Sequence, residues 1–254
     1  FSLDLRSSKK DIQNIILQWI EKNCEYDSKS WEVDLVAKRI IAWLSNSRLT
    51  YEDSGDNYKK KFNNIIKKQI NHLISEIKAS ELVDDKMIGC SAIILTGLSY
   101  QDKDSYLDEG LNLLKKLVKI SLDSDGFPKS RNIRQLNFYL KYFVLIREWL
   151  KESQSEIPEF INENIFYLGQ AYAFTSQNIK CNLLFNGNHE NNNPDLDTYL
   201  KRFGYNFKSQ GNELGGYAIL NNKKVCLAMD VGPTPDKKFS SNYQAGSLSF
   251  EIIS

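Results

Sequence analysis

The stretch "GGYAILNNKKVCLAMDVG", Gly215 to Gly232, decides how the chain is read. Two apolar runs flank Asn221-Asn222, with Lys223 and Lys224 following. Asparagine tolerates the positive φ that a tight hairpin turn requires, so the pattern predicts strand, turn, strand. Val225, Leu227 and Met229 fall on one face of the second run, Cys226 and Ala228 on the other. Strands that are apolar on both faces belong inside a sandwich. The final stretch "NYQAGSLSFEIIS", Asn242 to Ser254, alternates Leu248, Phe250 and Ile252 with Ser247, Ser249 and Glu251. That is the period of a half-buried third strand. Three such strands cannot close a sandwich, so the chain reads as a fragment with further β structure to follow.

Upstream of about residue 177 the texture is helical. "KKDIQNIILQWIEKN" places Ile12, Ile15, Ile16, Trp19 and Ile20 on one stripe. "SWEVDLVAKRIIAWLSNS" does the same with Leu35, Val36, Ile40 and Trp43, and Ser30 is the expected N-cap. Phe62, Ile65, Ile66, Ile70 and Ile74 form a third stripe, and "DKMIGCSAIILTGLSY" is apolar nearly all round, as a buried helix is. "SYLDEGLNLLKKLVKISL", "RNIRQLNFYLKYFVLIREWLKES" and "IPEFINENIFYLGQAYAFTSQ" follow, the last with Pro158 at a helix start. Short connections predict antiparallel hairpins, and no sequence repeat argues for a solenoid. "NNNPDLDTYLKRFGY" holds room for one more short helix.

Composition excludes several classes. With 33 Lys+Arg against 32 Asp+Glu the net charge is +1, which gives no ground for a nucleic-acid partner. No run of about 18 apolar residues exists, so no membrane span is expected. Cys24, Cys90, Cys181 and Cys226 are scattered without ligand spacing, and His72 and His189 are the sole histidines. A metal site is therefore not expected, and no phosphate loop or dinucleotide fingerprint is present, so no cofactor is expected either.

Three polar stretches could carry chemistry. In "DGFPKSRNIRQ", Asp125-Gly126 signals a turn, Pro128 an extended segment, and Ser130 a helix cap. Lys129, Arg131 and Arg134 gather at that helix N-terminus beside Asn132 and Gln135, a suitable site for a carboxylate or sulfate. A solvated loop and cap is the plainer reading. In "LLFNGNHE", Asn186-Gly187 reads as a turn after a short strand, and His189 beside Glu190 as a base with its orienter or an ordinary loop histidine. His72 lies on a helical pattern and reads as a surface or half-buried residue. Tyr139 and Tyr142 read as core or groove lining on which a sugar ring could stack.

Taken together these stretches resemble the heparinase II/III-like polysaccharide lyases. "WEVDLVAKRIIAWLS", with Trp31, Arg39 and Trp43, looks like the family's Trp…Arg…Trp helix, and "MIGCSAIILTGLSY" like the small-residue helix after it. "DGFPKSRNIRQLNFYLKYF" is similar to an Asp-Gly-Gly-His…Ser-Arg-Asn-Pro stretch, and "LLFNGN" and "AGSLSFE" to the first β segments. The resemblance implies an (α/α) toroid of antiparallel helical hairpins over residues 1–176. Residues 177–254 would then begin an antiparallel β-sandwich, in a periplasmic or cell-envelope protein. It also implies a β-elimination: a group neutralises the uronate carboxylate, and a Tyr or His removes the C5 proton and protonates the leaving O4.

The family's Asn, Tyr and His positions fall near Asp84, Gln135 and Gln244 here. A carboxylate repels a uronate, and an amide side chain exchanges no proton near neutral pH. The expectation is a protein acting on an acidic polysaccharide. Arg131, Asn132, Arg134, Gln135 and Gln244 would line the groove between the domains, Arg131 or Arg134 would neutralise the carboxylate, and a tyrosine would be the base. The alternatives are a catalytically silent glycan-binding protein of the same fold and a helical interaction scaffold.

Overall fold

The structure is a computed structural model and describes residues 8–100, 104–177, 183–187, 194–222, 224–242, 246 and 248–253. His189, Glu190, Lys223, Cys181 and Gln244 lie outside the described residues. The chain divides into two compact units, Phe1–Leu117 and Val118–Ser254.

The first unit is helical. Helix α1 spans Lys9–Asn23, α2 Val33–Leu44, the single turn α3 Ser47–Thr50, α4 Asp56–Glu76 and α5 Val83–Ser99; α6, Asp104–Ser121, runs into the second unit. Ser8 and Asp11 form a capping box that satisfies two orphan N–H groups at the start of α1. Most of each stripe read from the sequence is buried: Ile12, Ile16 and Ile20 on α1, Val36, Ile40 and Trp43 on α2, Phe62, Ile66 and Ile70 on α4, whereas Ile15 and Leu35, counted in the α1 and α2 stripes, are exposed. On α5 every residue from Met87 to Thr96 is buried, as its all-round apolarity predicts. The hairpin expectation needs amendment, because α2 packs chiefly on α5 and α1 on α3 and α4.

Ser30 is not the cap of α2. Glu32 holds that position without a side-chain bond, while the Ser30 N–H donates to Asp27 Oδ2 at 2.9 Å in a tight Asx turn. The Ser30 carbonyl instead accepts from Arg39 Nη2 at 2.6 Å. Arg39 also donates to Gln69 Oε1 at 2.8 Å and lies 3.9 Å above the Trp19 ring. A buried guanidinium with two acceptors and an aromatic face ties α1, α2 and α4 together.

In the second unit α7, Ile133–Glu152, packs on α8, Glu159–Tyr172. Pro158 caps α8 as expected, and a π-helical turn, Ala173–Gln177, follows. A 3-10 turn at Phe185–Gly187 has Asn186 at φ 52°, and α9 spans Pro194–Arg202. The sheet is antiparallel in the order β1 (Glu213–Leu214), β2 (Tyr217–Asn221), β3 (Cys226–Asp230), β4 (Phe250–Ile253). The hairpin forms, with Tyr217 paired to Asp230 and Asn221 to Cys226, but not with the expected Asn221-Asn222 turn: Asn221 is the last residue of β2, and the Asn222 N–H closes the connection on the Val225 carbonyl at 3.0 Å.

One expectation about burial is reversed. Tyr217, Ile219, Cys226, Ala228 and Asp230 face inward, while Leu220, Phe250 and Ile252 are 59–64% exposed. In β4 it is Glu251 that turns in, accepting from the Leu184 N–H at 2.8 Å. Phe250 and Ile252 therefore lie on the opposite sheet face, which nothing among the described residues covers, and Leu248, expected in the same strand, sits before it in a turn at φ 64°. No helix among the described residues is long and apolar enough to cross a membrane.

Candidate functional site

The turn before α7 forms much as its sequence suggests. The Asp123 N–H donates to the Phe127 carbonyl at 2.9 Å, Gly126 adopts φ 74°, and Pro128 bridges to Leu122. The cap, however, is Asn132, whose Oδ1 accepts the Gln135 N–H at 3.1 Å. Ser130, the expected cap, accepts the Asn132 N–H at 3.2 Å and donates to Gln135 Oε1 at 2.5 Å. Pro128 and the positive φ of Arg131 (58°) displace the cap by two residues, because the chain must turn once more before α7 begins.

The predicted site residues separate into two groups. Arg131, Asn132 and Gln135 are buried, whereas Arg134 is exposed on the first turn of α7. The Arg131 guanidinium donates through Nε to Gly215 O at 3.2 Å, through Nη1 to Pro233 O at 3.0 Å, and through Nη2 to Gly216 O at 2.7 Å and Asp230 Oδ1 at 2.5 Å. Four of the five N–H groups of an arginine are thereby directed at the protein. Lys129 is half-buried and donates to the Lys119 carbonyl at 3.0 Å.

Around Arg131 the sheet contributes residues that the sequence did not single out. Tyr217, wholly buried, donates its hydroxyl to the Arg131 carbonyl at 2.5 Å and lies 4.9 Å beneath the guanidinium. Asn186 donates to the Tyr217 hydroxyl and, at 3.3 Å, to Asp230 Oδ2. Asp230 ends an otherwise apolar strand, and a lone carboxylate there signals a buried partner. Its distance of 99 positions from Arg131 conceals which partner it is. Gly216 sits at φ 78°, and a Cβ there would come within 2.8 Å of Arg131. Gly216→Ala is therefore expected to destabilise the protein by about 1–3 kcal/mol; an unchanged urea midpoint would show that the guanidinium has room to move.

Tyr139 and Tyr142 are both buried on α7. Burial pushes the Tyr142 phenol up to about 12. Among the described residues no three metal-ligating side chains converge.

The first unit holds an open cleft of about 630 Å³, lined among others by Tyr26, Trp31, His72 and Asp85. His72, half-buried as expected, places Nε2 2.9 Å from the Trp31 carbonyl; a carbonyl only accepts, so Nε2 carries the hydrogen. The three rings form a wall, with the His72 centroid 5.3 Å from Tyr26 and 5.4 Å from Trp31. These residues are far apart in sequence, and helical periodicity alone could not place them together.

Residues 209–254 match the family model "Heparinase II/III-like, C-terminal". No curated protein sequence matches the chain. Among solved structures, heparinase III superposes with a TM-score of 0.73 at 14% identity, over 99% of this chain and 46% of that one. The heparan sulfate lyase HepC from Pedobacter heparinus gives 0.66 at 12% identity, over 99% of this chain and 44% of its own. The chain thus spans less than half the length of these structures. The C-terminal residues thus match the family model of the heparinase II/III-like proteins, and nearly the whole length of the chain follows the fold of these lyase structures.

Proposed function

We propose that the protein acts on an acidic, uronate-containing polysaccharide, with β-elimination as the reaction. The observation that carries this reading is the whole-chain likeness to two proteins named for heparin-type substrates, heparinase III and a heparan sulfate lyase. Arg134, exposed on the first turn of α7, is the cation of this cluster offered to a polyanion, and Lys129 lies five positions before it. Gln244 would join them from the segment before β4. Residues 1–176 form the toroid in this reading and 177–254 open a β-sandwich in a protein of the cell envelope. Leu220, Phe250 and Ile252 then belong to the inner face of that sandwich. In the full-length protein Phe250→Ser and Ile252→Ser should each cost about 1.5–3 kcal/mol of stability. Losses below about 0.5 kcal/mol would place this face in water and remove the sandwich reading.

A second reading, glycan binding without elimination, is favoured by a specific observation. Gln135, at the position of the family's tyrosine, is buried and bonded to Ser130, and Arg131 is directed at the sheet. One experiment separates the two. Full-length protein is incubated with heparan sulfate, alginate and other uronate polymers, and both binding and the ultraviolet absorbance of unsaturated uronate are followed. Product formation that Arg134→Ala slows supports the lyase. Binding without product, weakened by Arg134→Ala and by salt, supports the silent binder. Neither binding nor product on any uronate polymer would overturn both.

A further inference from the structure

The cleft of the first unit has a charge that the proposed polymer does not match. Glu32, Asp34, Glu76 and Asp85 line it, and no lysine or arginine does among the described residues. Lys38 is held by one of them, Asp34, at 2.7 Å. Burial, and then Asp34, Asp84 and Glu32, raise the Asp85 carboxyl above the usual range, with Lys38 opposing, which reports how closely these charges crowd. The net charge of the whole chain is +1, so this acidity is local. A uronate or sulfate entering here meets repulsion from every side. A cation is attracted, and desolvation in a cleft strengthens the effect.

The same cleft carries an aromatic wall. Tyr26 is 67% exposed yet sits 5.3 Å from His72 and 6.4 Å from Trp31, ring to ring. An exposed ring beside a cleft offers a flat apolar face, which suits the C–H face of a pyranose, and its π-cloud favours a cation at the same place. Acidic side chains alone would describe any solvated surface. An aromatic platform within a cavity of about 630 Å³ adds the size and shape of one or two sugar rings.

We propose that this cleft is a subsite for an amino sugar with a free amine, the ring lying on Tyr26 and the ammonium among Glu76, Asp85, Glu32 and Asp34. The proposal rests on the polysaccharide reading but not on elimination. In an acidic polymer the cleft would accept the hexosamine unit, and the uronate would lie outside it.

The test uses the whole chain with defined homo-oligomers, and reads binding by tryptophan fluorescence and calorimetry. A glucosamine tetramer is compared with its fully N-acetylated counterpart and with a tetramer of uronates. The free-amine tetramer should bind at least about tenfold more tightly than either. Tyr26→Ala should weaken it about tenfold. Asp85→Asn and Glu76→Gln should each weaken it several-fold while leaving the acetylated tetramer unaffected. Circular dichroism confirms that these rim variants stay folded. Equal or tighter binding of the acetylated or uronate tetramer overturns the proposal. So does free-amine binding that the three variants leave unchanged, since that marks non-specific attraction. Failure of the polymer assay on uronates leaves this readout intact, and the two readings therefore fail separately.

Discussion

Arg131→Ala is expected to remove about 3–5 kcal/mol of stability, the usual cost of orphaning one member of a buried ion pair. Asp230, wholly inaccessible, would keep its charge without its counter-ion, and the carbonyls of Gly215, Gly216 and Pro233 would each lose a donor. Arg131→Lys should recover less than half of the loss. An ammonium is a point charge, whereas these acceptors surround a planar fork that also stacks over Tyr217. The pair Arg131→Ala, Asp230→Ala should cost clearly less than the sum of its members, because the second change removes the orphaned charge. Thermal and urea unfolding of the parent and the four variants measure this directly. An Arg131→Ala variant within about 0.5 kcal/mol of the parent would mean that the guanidinium serves a ligand and not the fold.

The same residue shows how far the sequence could be read. A basic cluster at a helix start is visible in "KSRNIR", and so is the turn before it. What lies 84 to 102 positions away is not, and there the Arg131 donors find their acceptors. Local signals were reliable where one element decides: Ile12, Ile16 and Ile20 on α1, the existence of the β2–β3 hairpin, Pro158 before α8. They misled where two uses compete for one residue. Ser30 and Ser130 both look like caps, yet the Ser30 backbone is held by Asp27 and Arg39 and the Ser130 hydroxyl by Gln135. Period-2 alternation in "SLSFE" identified a strand but not its inward face, because Glu251 has a partner at Leu184 and the apolar side has none among the described residues. The cleft of Tyr26, Trp31, His72 and Asp85 is assembled from three separate segments and left no local trace.

On heparan sulfate the full-length protein is expected to form unsaturated product about 10²–10⁴ slower than an enzyme with a placed general base. Gln135, which the sequence resemblance puts at the position of that group, is an amide, which neither takes up nor releases a proton near neutral pH. Its oxygen already accepts from Ser130, so the side chain serves the turn before α7. Gln135→Ala should accordingly change residual turnover by less than about twofold once corrected for folded protein. Of the neighbouring phenols, Tyr142 is pushed up to about 12 by burial. At neutral pH its phenolate fraction is on the order of 10⁻⁵. If Tyr142 were the base, the rate would climb about tenfold for each pH unit towards that value. A profile that is flat between about pH 7 and 9, with Gln135→Ala unchanged, is the expected outcome. Fast turnover at neutral pH that Gln135→Ala abolishes would instead place the catalytic machinery at the α7 turn and sink the argument built on its hydrogen bonds.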